Sequence, residues 1–190
     1  AELMDDILKQ SRVGVPAYIR QIEKHDLIHY FDELFTDKDQ LVKYAEDVLD
    51  DDQIDFFCNY QVNLRKKRQF EIEDLASLLY LQYYLFGIKK ELRARNVVID
   101  EAQDYSYFQL YALKSALETD MFTIVGDLAQ GIHSYRGLND WSLVKEDIFP
   151  RATYTTLQKS YRTTVEIMQA ANDILSLFPL DLPKVEPVVR

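Results

Sequence analysis

The sequence predicts an α/β fold in which an all-helical segment, residues 1–94, precedes a partial parallel sheet. Two observations carry this reading. Before residue 94 apolar side chains recur at three- and four-residue spacing, the period of a helix with one buried stripe. After it, short β-branched or apolar runs alternate with helical stretches, the pattern of βαβ units.

In the helical segment Leu27, Ile28, Phe31, Leu34 and Phe35 mark one amphipathic helix, and Leu41, Tyr44, Ala45, Val48 and Leu49 a second. Gly14-Val15-Pro16, Thr36 as an N-cap ahead of DKDQ, and the run Asp50-Asp51-Asp52 mark boundaries, giving four or five helices. Leu75 to Gly87, LASLLYLQYYLFG, is too short to span a membrane and contains Gln82, so it reads as a buried amphipathic helix. Beyond residue 94 we expect strands at Val97–Ile99, Phe122–Val125 and Tyr154–Leu157. Helices are expected near 107–117, 141–149 and 164–178. Residues 179–190, with Pro179, Pro183 and Pro187, read as an extended tail.

Charge and cysteine content narrow the function classes. The net charge of −10 argues against an indiscriminate nucleic-acid binder, because affinity for phosphate backbones comes from clustered cations. Residues 1–60 hold 6 basic and 15 acidic residues, whereas 61–95 hold 8 and 4. Any polyanion contact is therefore local, with Arg65, Lys66, Lys67, Arg68, Lys89, Lys90, Arg93 and Arg95 as candidates against the plainer reading of solvated turns. A single cysteine, Cys58, excludes an internal disulfide framework and reads as a small buried apolar residue in a reducing cytosol. With no apolar run of about 20 residues and no basic, apolar-centred leader, the chain is expected to be soluble and cytoplasmic, without a membrane partner. His25 and His29 stand at i, i+4 beside Asp26 and Asp32, but helix-face histidines are usually structural or solvated rather than metal ligands.

Chemistry concentrates in three motifs. NVVIDEAQD, residues 96–104, is a continuous apolar strand of the kind covered on both faces of a parallel sheet, and it ends in Asp100 and Glu101. Ligands of open α/β sheets sit beyond the carboxyl ends of strands; there an Asp can hold a nucleotide-bound Mg²⁺ and a following Glu can orient or deprotonate a water. The second strand likewise ends in Gly126 and Asp127, within FTIVGDLAQGIHSYRG. Gly126 and Gly131 suit a sharp turn or a close approach to a ligand, and Gln130 offers an amide between the strand ends and a phosphate. Tyr135 and Arg136 offer a ring for stacking and a fixed cation. In LQKSYRTT, residues 157–164, Ser160 or Thr163 can cap a helix and Arg162 sits at a strand-to-helix turn.

In this order and spacing the motifs resemble the superfamily 1 helicases of the UvrD/Rep type. DEAQD matches motif II, GDLAQGIHSYRG motif III and LQKSYRTT motif IV. VVIDEAQDYSYFQL, preceded by EDLASLLYLQYYLFG, looks most like the HelD branch, helicase-like ATPases that act on bacterial RNA polymerase. The resemblance covers residues 72–178; residues 1–71 carry no recognisable motif. It implies a partial RecA-like, P-loop NTPase fold, with ATP and Mg²⁺ as cofactors and single-stranded nucleic acid, first of all DNA, as partner. It makes Asp100 the Mg²⁺ ligand, Glu101 the residue that activates the attacking water, and Gln130 the γ-phosphate sensor tied to the nucleic-acid site. Tyr135 would stack on a base, where family members often carry Trp; Arg136 follows motif III, and Arg162 would reach the γ-phosphate from the second RecA-like domain. Asp104 would organise the loop, and His133 departs from the family's usual Tyr.

The sequence contains no GxxxxGK[ST]; the spacing of Gly126 and Gly131 is followed by Ile132 and His133 instead. Without P-loop amides and lysine the β- and γ-phosphates have no cradle, and no later arginine completes the site. We therefore expect a fragment of a larger helicase-like ATPase, inactive by itself. Residues 95–152 would form the later part of the first RecA-like domain and 153–178 the start of the second.

Overall fold

The computed structural model describes residues 25–45, 47–131, 137–138, 140–177 and 184–189. It divides into two compact units, Ala1–Leu81 and Gln82–Arg190.

The first unit is helical: α1 Leu27–Thr36, α2 Lys38–Ala45, α3 Asp51–Lys66 and α4 Asp74–Leu81. Asp26 caps α1 by accepting the His29 N–H. Asp37, not Thr36, starts α2: its carboxylate accepts the N–H groups of Asp39 and Gln40. Thr36 closes α1 instead, its hydroxyl donating back to the Asp32 carbonyl four residues earlier. Asp50 forms a capping box with Gln53, and acidic Asp51 and Asp52 at the start of α3 oppose basic Arg65 and Lys66 at its end, complementing the helix dipole.

Leu41, Ile54 and Cys58 form the core of this unit, with Phe35, Ala45 and Leu49 packed against them. The second amphipathic stripe is shorter than its period suggests: α2 stops at Ala45, before Val48, which is exposed, and Tyr44 in its last turn is exposed as well. The basic run divides: the Arg65 guanidinium lies 3.3 Å from the Phe70 ring centroid, while Lys66, Lys67 and Arg68 are exposed where α3 ends. Buried Cys58 donates its S–H to the Thr36 carbonyl, as expected of a structural thiol. The rings of His25 and His29 stack, centroids 3.8 Å apart, and no three metal-binding side chains converge among the described residues.

The expectation of a buried helix at residues 75–87 is corrected. Only Asp74 and Ala76 of α4 are buried, and the chain widens into a π turn at Gln82–Phe86 whose Tyr84 and Phe86 are exposed. Burial follows contact rather than apolar composition, and much of a folded protein's surface is itself apolar.

The second unit carries β1 Val97–Ile99 and β2 Phe122–Ile124, joined by α5 Tyr107–Leu117. They pair in parallel, Val97 opposite Phe122 and Ile99 opposite Ile124, as the βαβ reading requires. Ser106 and Gln109 form a capping box that starts α5. Ile99, Ala102, Leu110, Leu138, Val144, Ile148 and Phe149 make the core, which includes the short helix α6 Trp141–Leu143 and the π turn Val144–Ile148. Among the described residues the sheet is covered on one face only: Ile99 is 6% exposed, but Val98 between its neighbours is 73% exposed. The apolar run therefore does not mean burial on both faces by the described residues.

Near the C-terminus one expectation is overturned and another gains a pairing partner. Residues 154–157 form no strand; β3 is Lys159–Thr164, and residues 186–189 of the expected extended tail form β4, parallel to it. Strand-forming side chains need a partner strand, which 154–157 lacks: Leu157 is 86% exposed. The helix α7 Val165–Leu175 follows β3 directly; neither Ser160 nor Thr163 caps it, and Thr164 holds the cap position. No helix among the described residues is long and apolar enough to cross a membrane.

Candidate active site

β1 and β2 deliver Asp100 and Asp127 from adjacent carboxyl ends. The ladder continues past the strands: Val125 N–H donates to the Ile99 carbonyl at 2.8 Å, and Ala102 N–H to the Val125 carbonyl at 3.0 Å. Asp100 and Glu101 thus lie in the turn leaving one strand, beside the start of the loop leaving the other. Ala102, fully buried, anchors that turn in the core.

Asp100 is exposed; Oδ1 accepts the Glu101 N–H at 2.9 Å, and Oδ2 has no protein partner among the described residues. Glu101 adopts a left-handed backbone, φ +52°, uncommon for a residue with a side chain. Its Oε2 accepts from Gln103 Nε2 at 2.7 Å. Asp104 N–H closes a tight turn on the Glu101 carbonyl.

Gln103, part of DEAQD but given no role in the sequence reading, links Glu101 to Asp127. It is 3% exposed, and while Nε2 donates to Glu101, Oε1 accepts the Asp127 N–H at 2.9 Å. The partners fix the amide's orientation, since a carboxylate only accepts and a backbone N–H only donates. Its backbone carbonyl accepts the Leu138 N–H at 3.1 Å. Gly126 makes room for this: a Cβ there would lie 2.8 Å from Gln103 Oε1 and 3.0 Å from Trp141 Cζ2. The glycine accommodates a side chain of the same protein, where a sharp turn or close approach to a ligand was expected.

Gln130 lies in a tight turn, Leu128–Gln130, and its Nε2 donates to Asp127 Oδ2 at 2.7 Å. Asp127 also caps that turn by accepting the Ala129 N–H. Where the loop returns, Asp140 caps α6, and hydrogen bonds from the Ser142 hydroxyl and then the Ser142 N–H hold its carboxyl below the usual carboxylate range. Tyr135 and Arg136, with His133, lie outside the described residues.

Arg162 departs from expectation. It lies inside β3 rather than at a strand-to-helix turn, exposed, with its N–H on Ser160 Oγ at 3.4 Å. No hydrogen bond or ion pair joins it to Asp100, Glu101 or Gln130. The structure thus brings Asp100, Glu101, Asp127 and Gln130 together and leaves Arg162 unattached to them.

Residues 1–146 match the UvrD/REP helicase N-terminal domain. The chain belongs to this family. The match takes in the helical segment, where the sequence showed no motif, and ends before β3. The ATP-dependent DNA helicase Rep of Buchnera aphidicola subsp. Schizaphis graminum is 27% identical over 156 residues, 79% of this chain and 24% of its own length. The ATP-dependent DNA helicase PcrA of Bacillus subtilis is 26% identical over 145 residues, 74% of this chain and 20% of its own. The ATP-dependent DNA helicase UvrD1 of Mycobacterium bovis is 26% identical over 161 residues, 75% and 19%. The chain spans about a fifth to a quarter of the length of these UvrD/REP relatives.

Proposed function

We propose that this chain supplies the metal-binding and water-activating part of an ATP-dependent superfamily 1 DNA helicase or translocase, on a RecA-like sheet. The observation that carries the reading is the junction of the β1 and β2 ends, where hydrogen bonds link Glu101 through Gln103 to Asp127 and Gln130, and Asp100 accepts the Glu101 N–H.

The donor set fits Mg²⁺ held jointly with a nucleotide. Asp100 offers an exposed hard oxygen, and no three-ligand protein cage exists among the described residues. Mg²⁺ typically takes one or two carboxylates and completes its shell with phosphate oxygens and water. Bound there with ATP, the ion would polarise the terminal phosphoryl group. Glu101 orients the attacking water and accepts its proton, with Gln103 holding the carboxylate. Gln130, once its amide leaves Asp127, reaches the γ-phosphate, and Arg162 approaches from a second RecA-like domain begun by residues 153–178. Tyr135 and Arg136 contact single-stranded DNA.

The phosphate cradle comes from sequence other than these 190 residues, which contain no P-loop. In the protein that joins this chain to such a loop, Glu101→Gln lowers DNA-stimulated ATP turnover by about 10²–10⁴-fold while ATP binding persists. Turnover at the parent rate in that variant overturns the reading.

The acidic charge of residues 1–60 favours a second use, in which residues 1–95 dock a basic protein surface, as expected of a HelD-type protein acting on RNA polymerase. Titration of residues 1–95 against RNA polymerase and single-stranded DNA separates the two. Tight, salt-sensitive DNA binding by residues 1–95 counts against the docking role.

A further inference from the structure

We propose that Gln103 is a positioning residue that couples the Glu101 carboxylate to the loop bearing Gln130, so that the state of that loop sets where the carboxylate points. The inference rests on the hydrolytic reading of Asp100 and Glu101 and adds a route by which that site is regulated.

An unbroken hydrogen-bonded chain joins the two ends. Glu101 Oε2 takes Gln103 Nε2–H at 2.7 Å, Gln103 Oε1 takes Asp127 N–H at 2.9 Å, and Asp127 Oδ2 takes Gln130 Nε2–H at 2.7 Å. Each link couples a single donor to a single acceptor. At the Gln103 links the relay therefore has one polarity, and turning that amide over would set like groups against each other at both of its ends.

The middle of the chain is fixed and its ends are not. Gln103 is buried, follows the fully buried Ala102, and packs so close to Gly126 that its Oε1 lies 2.8 Å from where a Cβ would stand. Glu101 and Gln130 are both exposed. Gln103 also grips the loop at its far end, since its carbonyl takes the Leu138 N–H. One residue thus holds the loop where it leaves β2 and where it returns.

The consequence is directional. When the Gln130 amide exchanges Asp127 for another acceptor, Asp127 keeps the Ala129 N–H on Oδ1 but loses the tie at Oδ2, and the loop start is less firmly held. The Asp127 N–H then draws on Gln103 Oε1, and the Gln103 Nε2–H that orients Glu101 moves with it. Glu101 sits at a positive φ, a conformation that persists only when neighbouring contacts impose it, so loss of the Gln103 bond frees the carboxylate to turn. Low local dielectric strengthens such networks where they are buried, as at Gln103.

The test uses the 190-residue chain without nucleotide. By NMR, Glu101→Ala should speed exchange of the Asp127 amide by about fivefold or more and shift the Gln130 carboxamide resonance, although neither group touches residue 101. In a Gln103→Met background the same Glu101→Ala change should alter neither. An unresponsive Asp127 amide with Gln103 present, or an equal response with Met in its place, overturns the coupling.

Should Gln103→Met fail to fold, Gln103→Leu removes both links without placing a second carboxylate beside Glu101. There Glu101→Ala should alter neither the Asp127 amide nor the Gln130 carboxamide; a response equal to the parent's overturns the proposal. Because no ATP is involved, the outcomes separate. Absent coupling alongside turnover that Glu101→Gln abolishes overturns the relay alone. Coupling alongside turnover indifferent to Glu101→Gln overturns the hydrolytic reading on which it rests.

Discussion

Gly126 shows how a single missing side chain supports the site. The position allows Gln103 Oε1 and the Trp141 ring to approach the backbone more closely than a Cβ permits. Gly126→Ala is expected to destabilise the second unit by about 1–3 kcal/mol. Urea unfolding followed by fluorescence of Trp141, the sole tryptophan, measures this. Leu110, fully buried in the same core, should cost about 2–5 kcal/mol when truncated to Ala, read from the same transition. Asp100, Glu101 and Gln130 were legible in the sequence because each sits at a fixed offset from a strand end. Gln103 was not, although it lies between them: its importance comes from the Asp127 N–H, 24 residues away, and sequence spacing shows no such partner.

At the scale of elements, local chemistry located helices better than strands. α5 occupies the expected residues because Ser106 and Gln109 box its first turn, and α3 begins where Asp50 and Gln53 do the same. Asp50→Ala should cost about 1 kcal/mol and speed hydrogen exchange in the first turn of α3. Strand β3 was misplaced by several residues because its location depends on pairing with β4, a partner far along the chain. α3 also carries a pH-sensitive group. Burial pushes the Cys58 thiol above its usual range, so the folded state holds the proton more tightly than the unfolded chain. The resulting stability is present below the ordinary thiol pKa of about 8.5 and is lost as pH rises above it. Urea midpoints compared at neutral pH and well above that value should therefore fall less in Cys58→Ala than in the parent chain.

For the molecule as a whole, family and fold class follow from motif order and from the change of period near residue 94. The exposed Val98 face does not, because an apolar strand reads the same whether one face or both are covered. Lacking a P-loop, the chain is expected to hydrolyse no ATP above background in a phosphate-release assay. Turnover that vanishes in Glu101→Gln would contradict the composite-site account. The most direct test of the central claim, that the β1 and β2 ends form one metal- and water-handling site, is paramagnetic broadening of the chain's NMR spectrum by Mn²⁺ in place of Mg²⁺. The account predicts early broadening of the amides of residues 100–103 and 126–127, lost in Asp100→Asn. Broadening that spares those amides, or that persists unchanged in Asp100→Asn, would contradict it.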